Sequence, residues 1–271
     1  MKTQQLQSNQ MREEPGYFQV PGAHLYTVLH HASAPLASVL LVGSFAAERH
    51  FSFHPWIRWA RFLAARGLQV LRFDYRGIGE STGNFDQTSF RDWEADVRLL
   101  AAELHRQSPE IPLLVHGLEI GGIIAGRCFD AGIGDALLLW SAPANANQSM
   151  RANLLRWAGL EQLFESAENR KTASYFIQQL ENGRPVEVHG YQWSGDLWSE
   201  SLNFAMPTTL RDEGLAAKTY SKPVKLLKLN KEAAPLVKPY VGYEAVRDLS
   251  WLYASNFEWA ASSLRLPIGQ A

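Results

Sequence analysis

The stretch of this 271-residue chain best suited to chemistry is Gly117-Leu118-Glu119-Ile120-Gly121. It follows an apolar run, Leu113-Leu114-Val115, and leads into small residues that suit a helix start. A G-x-x-x-G frame in that setting holds its middle residue on a tight strand-to-helix turn, where a serine would be presented for attack. Here the middle residue is Glu119. A carboxylate at such a turn can attack an electrophile, take a proton or hold a cationic group. The first N–H groups of the following helix have no intrahelical partners, and that helix end carries partial positive charge. Glu119 is therefore expected to be ionised and hydrogen-bonded to backbone.

Other reactive side chains are few. The one cysteine, Cys128, falls on the apolar helix after the turn and reads as an inert core thiol; it excludes an internal disulfide and any thiolate metal cluster. Of the eight histidines, His50 and His54 are four apart and could share a helical face, but no third metal ligand accompanies them. His116 ends the apolar run and reads as a core histidine. No histidine follows His189. We expect no metal and no cofactor.

The elements that would carry these residues can be read from hydrophobic spacing. Tyr17–Val20 and His24–His31 flank Pro21-Gly22 as a hairpin. Ala37–Val42, Leu68–Phe73, Leu113–Val115 and Ala136–Trp140 are short apolar runs, as buried parallel strands should be. Helical spacing appears at Pro55–Arg66, with Pro55 in a first-turn position, at Ser89–Arg106 and at Gly121–Ala131. Strands alternating with helices imply a mostly parallel sheet flanked by helices. The pattern breaks at 147–207, where helical runs (Met150–Trp157, Leu160–Glu168, Thr172–Leu180) precede a Trp- and Gly-rich stretch; we read an inserted helical lid. The alternation resumes weakly at Pro223–Leu229. Residues 1–14 read as a disordered polar tail, and 15–146 with 208–271 as the core. A net charge of −1 gives no field for nucleic acid, and no apolar run reaches the ~20 residues of a membrane span. The absence of a signal core and the single cysteine suggest the cytoplasm.

Two motifs carry a family resemblance. One is the Gly117–Gly121 frame. The other, Asp74-Tyr75-Arg76-Gly77-Ile78-Gly79-Glu80-Ser81, resembles the D-x-R-G-x-G-x-S turn after the fourth strand of α/β hydrolases. Residues 43–85 further resemble the serine-aminopeptidase-like branch, and within it the hydrolase-like proteins of exosortase and exopolysaccharide systems. The stretch 187–200 is similar to the lid of that group.

The resemblance implies an α/β-hydrolase fold and a serine, acid, histidine triad in that chain order. This chain has Glu119 for the serine. The acid should stand near Asn230 and Glu232. In place of the late histidine, the sequence offers Asn256 and Glu258. The oxyanion hole, being backbone, should persist at the N–H groups of Phe45 and Ile120. Ser44, His50, His54, Trp193 and Trp198 would border the pocket. The reading is a hydrolase-like protein without the triad, acting as a non-catalytic binding or accessory protein for an unidentified small molecule or protein partner. The alternative is an esterase-, dehalogenase- or epoxide-hydrolase-like enzyme using Glu119 as nucleophile or base.

Overall fold

A computed structural model describes residues 12–229 and 248–267. Seven strands form one sheet: β1 (Glu13–Val20), β2 (Ala23–His30), β3 (Ala37–Val42), β4 (Leu68–Phe73), β5 (Leu113–Leu118), β6 (Ala136–Trp140) and β9 (Val224–Leu227), in the order β1-β2-β4-β3-β5-β6-β9. The hairpin β1–β2 is antiparallel and β2 joins β4 antiparallel; every other pairing is parallel. The parallel strands are continuous apolar runs because both faces are covered. On one face lie α2 (Phe90–Gln107) and α3 (Ile120–Asp130); on the other lie α1 (Ala46–Ala64) and α8 (Ser250–Ser263). Alternation along β3 divides the cores: Leu40 and Val42 face α2 and α3, whereas Val39 and Leu41 face α1 and α8.

Helix α1 differs from the sequence expectation. It begins at Ala46, so Pro55 lies inside it, not in its first turn. Pro55 has no N–H for the intrahelical ladder. The apolar side chains Trp56, Trp59, Ala60 and Leu63 nevertheless seat the helix on the sheet, and the Tyr253 hydroxyl donates to the Pro55 carbonyl at 2.8 Å. Burial on this scale outweighs one missing backbone bond.

Between β6 and β9 run α4 (Ala146–Phe164), α5 (Ala173–Glu181), a ribbon of β7 (Val186–Val188) and β8 (Tyr191–Trp193), α6 (Gly195–Ser201) and α7 (Glu213–Thr219). The two runs read separately at 150–157 and 160–168 are one helix, continuous through Gly159 and ending at Phe164. Asn145 caps it by accepting from the Gln148 N–H at 3.0 Å. The Asn230 and Glu232 positions lie outside the described residues. Asn256 and Glu258 lie on α8: Asn256 is buried and donates to its own helix at Leu252, and Glu258 is exposed. Neither stands at the Glu119 turn. Among the described residues, no helix is long and apolar enough to cross a membrane.

Candidate functional site

Glu119 sits between β5 and α3 with φ 53° and ψ −122°, a backbone that a side-chain-bearing residue rarely adopts. Three glycines make the turn possible. A Cβ on Gly121 would overlap the carbonyls of Val42 and Gly43, and one on Gly117 would overlap Gly122. The start of α3 is thus pressed against the end of β3. The turn is also tied across the sheet, since the Glu119 N–H donates to the Trp140 carbonyl at 2.9 Å. The strained geometry that would present a nucleophile is intact.

The side chain is not presented to solvent. Glu119 is 8% exposed, and its Oε2 accepts from the Ile120 N–H at 2.5 Å. The expected backbone bond is therefore present, and the N–H assigned to the oxyanion hole is used to cap the carboxylate. The expected ionisation does not follow. Burial pushes the carboxyl up from 4.5 to about 7; the Ser149 hydroxyl and the Ile120 N–H pull it down by less. Desolvation wins because the two donors replace only part of the water that a carboxylate loses. The Ser149 hydroxyl faces the carboxyl without a hydrogen bond of regular geometry. It comes from α4, and nothing in the sequence pointed to it.

Aromatic side chains pack around the loop after β3. Phe45 ends the loop after β3, and its ring stacks on Trp193 of β8 at a centroid distance of 5.7 Å and an interplanar angle of 26°. Phe85, Phe90 and Trp93 pack around the same ring. Trp193 and Trp198 are fully buried core side chains. The guanidinium of Arg151 lies over the Trp198 ring at 5.1 Å.

The remaining candidates are spread out. Ser44 is buried and shares a hydrogen bond with Ser52 at 3.0 Å. His50 and His54 are on the exposed face of α1 and border an open groove of about 710 Å³ with Tyr26, Arg49 and Arg72. Ser44, Trp193 and Trp198 do not line that groove. His116 is in the core, as expected. Its Nδ1 accepts from the Trp59 indole at 2.9 Å, its Nε2 has no hydrogen-bond partner, and its ring packs edge-on to Trp140. Burial holds it well below the usual histidine range, so it is neutral. Burial pushes the Cys128 thiol up to about 12, which leaves it unreactive. His189 keeps φ at 51° and packs on Trp157; burial, then Arg156 and His50, lower its pKa. Arg156 on α4 pairs with buried Glu48 on α1. None of these histidines hydrogen-bonds to Glu119. Among the described residues, no three His, Cys, Asp or Glu side chains could hold a metal.

The second motif builds a turn. Asp74 accepts from Arg49 at 2.6 Å and from the Glu80 N–H at 3.1 Å, and the Ser81 hydroxyl donates to the Asp74 carbonyl at 2.6 Å. Arg76 grips Asp96 of α2 through two bonds, of 2.7 and 2.5 Å.

Sheet order, the strained turn after β5 and the insertion after β6 together decide the fold. The chain has the α/β-hydrolase fold. A family model for serine aminopeptidase S33 matches residues 54–178. A thermostable carboxyl esterase from Bacillus coagulans is 14% identical, with a TM-score of 0.59, covering 94% of this chain and 99% of its own. The α/β hydrolase GrgF from Penicillium is 14% identical, with a TM-score of 0.57, covering 94% and 100%. An a/b serine hydrolase without lid from Xanthomonas campestris is 21% identical at a TM-score of 0.43; this chain spans 62% of its length, and 49% of this chain is covered. No curated protein matches.

Proposed function

We infer that this hydrolase-like chain binds a ligand without cleaving it. One observation carries the reading: the nucleophile turn is preserved, but it holds a glutamate whose carboxyl is buried and capped by the N–H expected to stabilise an oxyanion. An acyl-transfer site needs that donor free and a base within reach of the nucleophile. The segment 147–207 acts as the lid, and its helix α4 brings Ser149 to the Glu119 carboxyl. The resemblance of residues 43–85 and 187–200 supports an accessory role in an exopolysaccharide- or exosortase-linked system, on the interior side of the membrane.

The second reading keeps Glu119 as a general base or carboxylate nucleophile. In its favour, a carboxyl held at about 7 is poised for proton transfer near neutral pH. Two assays separate the readings. The protein should not be labelled by a fluorophosphonate, and Glu119→Ser should not turn over p-nitrophenyl esters. Ester turnover by the wild type that is lost in Glu119→Gln would establish the second reading and overturn the first.

A further inference from the structure

A second recess lies beside the Glu119 turn. It is a cleft of about 280 Å³ at the carboxyl ends of β6 and β9, with Leu139, Met206, Leu210 and Leu226 as its apolar wall. Ligands of open α/β sheets bind outside the carboxyl ends of the strands. Glu119 does not line it. The two are divided by the first turn of α3, where Gly122 packs so closely on Ala142 of the cleft that a Cβ would overlap.

Two features make this more than a surface hollow. Ser141, on its rim, holds φ at 48°, a strained backbone for a residue other than glycine. It is locked there from both sides: its N–H donates to the Leu227 carbonyl at 2.8 Å, and its hydroxyl accepts from the Leu229 N–H at 3.0 Å. The cleft edge is thus rigid. The second feature is charge. Among the described residues, Arg211 and Lys228 line the cleft and no acidic side chain does. Among the described residues, neither has a carboxylate within ion-pair distance. The neighbouring Asp212 is engaged as a helix cap on the Leu215 N–H. Arg211 is fixed at the rim by its Nε bond to the Met206 carbonyl at 3.3 Å.

We propose that this cleft is a binding site for a small carboxylic acid with an apolar tail, the tail against the leucine and methionine wall and the carboxylate between Arg211 and Lys228. The site goes beyond the reading of Glu119 and does not depend on it. It binds an intact acid, and no bond is made or broken.

The test uses the full chain and titration calorimetry with octanoate, octanol and octylamine. Octanoate should bind saturably. Octanol and octylamine should bind at least about tenfold more weakly, because a charge-assisted hydrogen bond is worth roughly that factor. Lys228→Glu and Arg211→Glu, with thermal melts checked against wild type, should each weaken octanoate about tenfold. Glu119→Gln should bind it as wild type does. No binding of octanoate, equal binding of octanol, or affinity unchanged in both charge reversals would overturn the proposal. Octanoate binding in a protein that also hydrolyses esters would leave the cleft standing and remove the non-catalytic reading, so the two can fail separately.

Discussion

At the residue scale, the decisive contest at Glu119 is between desolvation and the helix N-terminus. The sequence shows the helix start and so suggests a stabilised carboxylate. It does not show Tyr75 and Ser149 of α4 coming up to the carboxyl, because those residues belong to segments far apart in the chain. Burial wins and raises the folded pKa to about 7 against an ordinary 4.5. Below the unfolded value, both states are protonated and the group contributes nothing. Between the two values the unfolded chain ionises first, so folding loses stability as pH rises, and the loss is complete above the folded value. A displacement of this size is worth up to about 3 kcal/mol. Glutamine escapes that penalty, while its own packing offset is independent of pH. The stability of Glu119→Gln minus that of wild type should therefore increase from pH 4.5 to 7 and then level off, as read from urea midpoints. A difference that moves the other way would show a satisfied, ionised carboxylate.

At the element scale, the strands of the large sheet and most of its helices were legible, because buried parallel strands are unbroken apolar runs and α2 carries a clear stripe closed by the Ser89–Asp92 capping box, whereas the ribbon β7–β8 was not read. Boundaries failed where a local rule met a tertiary one. Pro55 suggested a helix start, yet α1 begins at Ala46 because its apolar face packs along the sheet. The runs read at Met150–Trp157 and Leu160–Glu168 are one helix, α4, which passes through Gly159. That glycine has open space where a side chain would stand. Gly159→Ala should stabilise the protein by ~0.5–1 kcal/mol through backbone entropy, a rise in Tm of ~1–4 °C. Gly121→Ala should do the opposite, since its methyl would overlap the carbonyls of Val42 and Gly43. That substitution should leave little folded protein by circular dichroism. A folded Gly121→Ala protein of wild-type Tm would mean that α3 is not pressed against β3.

At the scale of the whole molecule, the insertion and the sheet share one core. Leu154, Phe176, Trp193 and Trp198 from the segment after β6 pack in the same cluster as Phe45, Phe90 and Trp93. Glu200 of α6 accepts from the N–H groups of Phe90 and Arg91, at 2.8 and 3.1 Å, and so caps the first turn of α2. A lid that opens freely has few such buried contacts and separates at low cost. This one should unfold with the sheet. Calorimetry should show a single transition, and hydrogen exchange in α4 and β8 should have the same free energy as in β5. Trp193→Ala tests the coupling from the insertion side. Removing a fully buried indole costs ~3–5 kcal/mol, and if the two parts are one unit, that loss should lower the exchange protection of β5 as much as that of α4. If β5 kept its protection while α4 lost it, the segment would be an independently opening lid, and the burial of Glu119 beside Ser149 of α4 would be one state of a gate.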